Sequence, residues 1–156
     1  MQQKIETFFN ILKHSKEVAY DVETSGLDWK TCYVCGYSLS EGNTSVYIPV
    51  RHALDHSPES NINDVDNFEQ ALNTEINNYK GKIIGHNIKF DAHFSENHNI
   101  KLNSNLKDTM VRESLINESK RSYALDATTQ DYDIPQKKGK ELYQHIANMV
   151  GCKPTR

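Results

Sequence analysis

The sequence predicts an α/β protein, a mixed β-sheet with flanking helices. Three observations carry that expectation. Short β-rich runs crowd residues 17–50, and helical spacing of apolar residues dominates from residue 64 onward. Between them, the apolar run at 83–85 leads straight into another helical pattern, as a buried strand does when it feeds a helix.

Residues 1–15 place Ile5, Phe8, Phe9, Ile11 and Leu12 at spacings that suit a short amphipathic helix. A strand over 17–22 ends at the Ser25-Gly26 turn. The β-rich runs 32–39 and 45–50 are joined by Glu41-Gly42-Asn43, a hairpin signature. Residues 64–79 carry Val65, Phe68, Leu72, Ile76 and Tyr79 at helical spacing, with Asp64 or Asp66 able to cap the start. After the buried strand at 83–85, residues 88–97 read as a helix with Phe90 and Phe94 inward. Residues 106–116 read as a fifth strand or a strand-to-helix passage. Shorter helices over 125–132 and 139–150 follow, separated by Pro135 and the basic run Lys137, Lys138 and Lys140, itself read as a solvated loop. His93 and His98 lack a partner at ligand spacing and are expected to face solvent.

At 156 residues, with 25% charged and 37% hydrophobic side chains, the chain is expected to form a single domain over 1–156. No apolar run approaches the roughly 20 residues of a membrane span, and no signal-peptide pattern opens the chain, so a cytoplasmic, non-membrane protein is expected. The net charge of -3 excludes the strongly basic footprint of a protein that grips long duplex through phosphates. The three cysteines include Cys32 and Cys35 at C-x-x-C spacing, but no second Cys or His pair follows at zinc spacing. Reduced thiols are the plain expectation. The 15 Asn and 14 Lys against only 4 Arg fit AT-rich coding sequence, as in a phage or an AT-rich microbe.

The most informative segment is Asp21-Val22-Glu23-Thr24-Ser25-Gly26-Leu27. Alternation along a strand turns Asp21 and Glu23 to one face at the strand's end. Adjacent like charges repel unless one is protonated or a cation lies between them, and a hard divalent cation suits carboxylates. A bare D-x-E also occurs on solvent-facing strand ends. Gly85-His86-Asn87-Ile88-Lys89-Phe90-Asp91 adds a second polar group, with Asn87 and Asp91 four apart at the start of a helix. Taken singly, Asn87 fits a helix cap and Asp91 an ordinary first-turn acid.

Together these segments resemble the 3′-to-5′ proofreading exonuclease domain of family A DNA polymerases, among the DEDD exonucleases on a ribonuclease-H-like fold. Gly36-Tyr37-Ser38-Leu39-Ser40, Val46-Tyr47-Ile48-Pro49-Val50-Arg51-His52, Lys107-Asp108-Thr109-Met110 and Tyr123-Ala124-Leu125-Asp126 continue the likeness, which covers about residues 17–132 in family order. The resemblance makes Asp21, Glu23 and Asp91 catalytic carboxylates that bind two Mg2+ or Mn2+ ions, with Asp21 bridging them. It makes Leu27 a wedge against the terminal base. Thr24, Asn87 and Phe90 would line the pocket of the 3′ nucleotide, and Arg121, or Lys120 beside it, would meet a phosphate. The implied partner is a single-stranded DNA 3′ end, with a polymerase domain expected in the same longer chain.

The family's third motif, Tyr-x-x-x-Asp, is absent. Four residues after Tyr123, Tyr132 and Tyr143 stand Ala127, Gln136 and Ala147. The expectation is therefore either the front part of a longer polymerase-like chain, truncated before that motif, or a reduced single-domain relative, in both cases with one metal position incomplete and impaired catalysis. The competing expectation is an exonuclease fold that only binds single-stranded nucleic acid or a replication partner.

Overall fold

A computed structural model describes residues 1–52, 61–102, 105–135, 144–145, 147–149 and 151. The chain divides into two compact units, Met1–Val111 and Arg112–Arg156. The first holds α1 (Gln2–His14), β1 (Glu17–Thr24), β2 (Val34–Glu41), β3 (Thr44–Pro49), α2 (Val65–Asn78), β4 (Lys82–Gly85), α3 (Ile88–Asn97) and β5 (Leu106–Asp108). Helix α4 (Thr109–Ile116) runs across the division, and α5 (Leu125–Asp131) lies in the second unit.

The five strands form one sheet in the order β3-β2-β1-β4-β5. Strand β2 pairs antiparallel with β1 and β3, whereas β4 pairs parallel with β1 and β5, so the sheet is mixed as expected. Burial alternates strictly along β1: Val18, Tyr20 and Val22 enter the core while Ala19, Asp21 and Glu23 face outward. That alternation puts the two carboxylates on one face, as the sequence pattern requires. Strand β1 runs two residues beyond the predicted end because Glu23 still pairs with Gly36 and Thr24 with Val34. The register shifts between those two pairs, leaving Cys35 as the extra residue on β2. Gly36 is required there, since a Cβ would meet the Tyr47 hydroxyl at 2.0 Å. Gly42 turns the β2–β3 hairpin at a φ of +55°, a conformation L side chains disfavour.

The core is built where α1 and α2 supply apolar stripes to the sheet. Phe8 is fully buried and meets Phe68 edge-on, with centroids 5.6 Å apart. Leu72, Ile76 and Phe94 are buried beside Tyr37, Leu39 and Ile48. Asp64, rather than Asp66, caps α2 by accepting from the Asn67 N–H at 3.2 Å. Residues 106–116 are the strand-to-helix passage, not one long strand.

Two expectations about histidines are corrected. His98 does not face solvent: its Nε2 accepts the Val34 N–H at 3.2 Å, and its Nδ1 lies 3.3 Å from Glu69 Oε1. With Nε2 occupied as acceptor, Nδ1 carries the proton and donates. Glu69 is the hub of that cluster, taking the Tyr37 hydroxyl at 2.6 Å and a bidentate Arg51 at 2.6 and 2.8 Å. Burial alone would push its carboxyl up, but the bonds from Arg51, His98 and Tyr37 outweigh it and hold the pKa at about 2. His93 is covered on one side by the Trp29 ring, stacked at 4.9 Å. The sequence hid both partnerships because they join segments some 64 residues apart.

In the second unit, Glu113 is buried, accepts the Tyr132 hydroxyl at 2.9 Å and pairs with Lys120 at 3.0 Å. The predicted helix over 125–132 is α5. The basic run at 137–140 lies outside the described residues. So does most of the predicted helix over 139–150, of which residues 144–145 and 147–149 are described and helical.

Candidate active site

The site begins with a backbone group left over by topology. Strand β4 pairs with β1 only as far as Ala19↔Ile84, then turns at Gly85 into α3. Further along β1, the Val22 N–H has no strand to bond on that side, and Asp91 on the first turn of α3 takes it: Oδ1 accepts at 3.0 Å. This single bond fixes a carboxylate from α3 against the strand that carries Asp21 and Glu23. It lies beyond the carboxyl end of β4 and beside the last residues of β1, the end of a pair of parallel strands where open sheets leave a crevice.

Asp91 is only 3% exposed. Burial, with the neighbouring charges of Asp21 and Asp108, outweighs the Val22 hydrogen bond and pushes its pKa up to about 7. Asp21 and Glu23, by contrast, stand exposed on the outer face. Glu23 lines an open pocket of about 490 Å3 with Thr24, Cys35, Ser38, Tyr47 and His52. The Tyr47 hydroxyl bonds His52 Nε2 there, and burial raises the Tyr47 pKa to about 12, helped by the charge of Glu23. Cys32 and Cys35 are free thiols.

The remaining predicted residues of the first unit lie at the end of β1 and the start of α3. Asn87 precedes α3 in the left-handed region, φ 62°, and makes no side-chain cap bond; its backbone N–H instead donates to Asp108 Oδ1 at 3.0 Å. Phe90 is half-buried against Phe94, with centroids 4.8 Å apart. The Thr24 hydroxyl donates to Gly26 O at 2.7 Å, closing the turn after β1. That turn leaves Leu27 86% exposed. Arg121 is exposed and belongs to the second unit. Lys120, the alternative phosphate contact, is committed elsewhere: its ammonium lies 3.0 Å from Glu113 and 2.7 Å from Asp131 and is largely buried.

Sequence reasoning gave Asp108 no role. Its Oδ1 accepts from the N–H groups of Asn87, Met110 and Val111, so one carboxylate caps α4 and pins the bend before α3. Beside it, Thr109 Oγ1 donates to Gly85 O at 3.1 Å, which leaves His86 Nδ1 to donate to Thr109 at 2.9 Å. The available signal was an Asp-Thr pair at a strand-to-helix passage, the sequence form of a helix cap.

The donor chemistry fits a hard divalent cation, since the groups are carboxylates and one of them is buried with a raised pKa. No preformed group of three His, Cys, Asp or Glu at ligand separations occurs among the described residues. Asp21 lies near enough for its charge to raise the Asp91 pKa, and Glu23 stands two residues further along the same strand face as Asp21.

Comparisons with known proteins show the family and the fold. The DNA polymerase DpoZ of Vibrio phage phiVC8 is 32% identical over 151 residues, covering 88% of this chain and 22% of that protein. The DNA polymerase DpoZ of Acinetobacter phage SH-Ab 15497 is 29% identical over 154 residues, covering 95% of this chain and 22% of that protein. The chain thus spans about a fifth of the length of these relatives. Brucella melitensis NrnC with bound Mg2+ superposes with a TM-score of 0.59 at 19% identity, covering 80% of this chain and 57% of that one. At that identity the likeness shows the fold, a ribonuclease-H-like mixed sheet with flanking helices. The sequence profile of the 3′-5′ exonuclease family matches residues 1–147, and the chain therefore belongs to that family.

Proposed function

We propose that this chain is the nuclease part of a DNA polymerase-like protein and shortens single-stranded DNA from its 3′ end by divalent-metal-assisted phosphodiester hydrolysis. The observation that carries the reading is the position of Asp91, buried at the carboxyl ends of β1 and β4 and bonded to the N–H between Asp21 and Glu23. Asp21, Asp91 and Glu23 would hold the cations. Bound there, Mg2+ or Mn2+ would lower the pKa of a water and neutralise charge on the leaving 3′ oxygen.

The chain's own groups set the conditions for this. Asp91 carries a proton below about pH 7 and must release it before it can ligate, so metal binding competes with protons at that oxygen. Asp108 holds the bend that starts α3 and so orients the turn bearing Asp91. Exposed Leu27 and half-buried Phe90 are the apolar surfaces available to a terminal base, and Thr24 shapes the turn that presents Leu27. Asn87 would meet the terminal nucleotide and Arg121 a phosphate.

A 5′-labelled single strand incubated with Mn2+ should shorten one nucleotide at a time, and Asp21→Ala should stop it. No shortening, together with no gain in melting temperature on adding Mn2+, would refute the reading. That this sequence carries no Tyr-x-x-x-Asp and that the described residues hold no preformed three-ligand group favour a second reading, a binding module with little catalysis. Binding of the strand and of Mn2+ without shortening would select it.

A further inference from the structure

The segment between β1 and β2 carries an aromatic platform that the carboxylate site does not use. Trp29 lies two residues beyond the exposed Leu27, and its ring stacks on His93 of α3 at 4.9 Å with an interplanar angle of 15°. The Asn97 side-chain amide donates to the Trp29 carbonyl, so α3 holds the segment at two points. Trp29 nevertheless remains 37% exposed. The exposed Lys30 places its ammonium 5.5 Å from the ring centroid.

Position along α3 gives this platform a direction. Phe90, His93 and Asn97 are spaced three and four apart and so form one stripe of the helix. His93 is displaced from Phe90 by about 4.5 Å along the axis, a step comparable to the spacing of successive bases in a partly stacked single strand. A cation beside a half-open aromatic ring, one helical step along α3 from Phe90, is the pairing that single-stranded nucleic acid recognises: a face for a base and a charge for its phosphate. A loop indole held only for packing would be expected to bury the ring more completely.

We infer that Trp29, backed by His93, is the stacking platform for the base immediately 5′ of the terminal nucleotide of a DNA strand, with Lys30 swinging from the ring to the adjoining phosphate. This rests on the reading above that a single-stranded 3′ end enters the carboxylate site. It adds a positioning residue on the upstream side of the scissile bond. Trp29 therefore governs how tightly an oligonucleotide is held, without touching the metal-ligating oxygens.

Trp29 is the chain's only tryptophan, so its emission reports the platform directly. Unlabelled (dT)8 titrated in Ca2+ should quench that emission saturably. The anisotropy of a 3′-unmodified, 5′-labelled (dT)8 should show Trp29→Ala binding about tenfold or more weakly, with Trp29→Phe retaining part of the affinity. Binding seen by anisotropy with emission unchanged, or Trp29→Ala binding as tightly as the wild type, overturns the inference and leaves the nuclease reading standing. If the wild type binds no (dT)8 at all, the nuclease reading falls and the platform with it. Should Trp29→Ala fail to fold, the wild-type emission decides.

Discussion

Removing the charge of Asp91 while keeping its shape should stabilise the metal-free protein at alkaline pH. Asp91→Asn preserves an oxygen that can accept the Val22 N–H, yet cannot ionise. The wild-type carboxyl titrates at about 7 in the folded chain against 3.8 when unfolded. A raised carboxyl pKa means the folded state binds the proton more tightly, so the stability this one group contributes is fully present below pH 3.8 and falls as pH rises toward 7, where the loss is complete. At 1.36 kcal/mol per pKa unit the upper limit is about 4 kcal/mol, and relaxation around the ionised group brings a realistic figure to about 2–4 kcal/mol. For a chain of this size that is a rise of about 5–15 °C in Tm at pH 8. Melting both proteins in EDTA from pH 4 to 8 is the assay. The two curves should coincide at pH 4 and diverge steadily up to pH 8, and Mn2+ should restore only the wild type. Equal Tm at pH 8, or parallel pH profiles, would refute the electrostatic account of the site.

Asp21→Ala should leave the fold intact or slightly more stable in EDTA, because it relieves the like-charge contact with Asp91, and should abolish the gain from Mn2+; calorimetry with and without the ion reads both effects. Glu69→Ala should cost about 2–4 kcal/mol by urea midpoint, since it strands Arg51, the Tyr37 hydroxyl and His98 Nδ1 in the packed interior. With the Glu69 pKa held at about 2, that contribution is present above pH 4.5 and is lost as pH falls toward 2, so the wild-type and Glu69→Ala midpoints should converge in acid. Shortening of a 5′-labelled strand by this chain should be slow, because no Tyr-x-x-x-Asp orients the water and a misplaced nucleophile costs on the order of 10²-fold per ångström; rapid laddering abolished by Asp91→Ala would show that other groups orient it.

How far the sequence reaches can be judged from where each signal is stored. Strand β1 was legible because its outward Asp21 and Glu23 and inward Tyr20 and Val22 alternate within one short window, and β2 and β3 because Gly42 marks their hairpin. Helices α2 and α3 followed from apolar spacing for the same local reason. The polar cluster around Glu69 was not legible. Its members come from four segments, and nothing in the residues near His98 shows that Val34 donates to its ring. Long-range polar contacts of this kind depend on which backbone groups the topology leaves unpaired, a quantity fixed only once strands are ordered.

The same argument explains why the candidate site was half readable. Asp21 and Glu23 could be picked out as chemistry, since two carboxylates on one strand face repel without a cation, whereas Asp91, an ordinary first-turn acid taken singly, was picked out only through the joint motif resemblance. Their arrangement is a consequence of strand length: β4 is only four residues long, α3 departs, and the Val22 N–H left without a strand partner draws Asp91 into the gap. Had β4 continued as far as β1, that N–H would be taken by a strand carbonyl, and Asp91 would lose the anchor that now sets it beside Asp21. The short strand thus creates both the opening and the buried carboxylate that faces it. Asp108 completes the device from the next strand end by fixing the bend at Asn87, so Asp108→Ala should loosen the start of α3, which hydrogen exchange at Ile88–Asn97 would register as faster opening of its first turn. Unchanged protection there would mean that α3 is held by Ile88 and Phe94 packing alone.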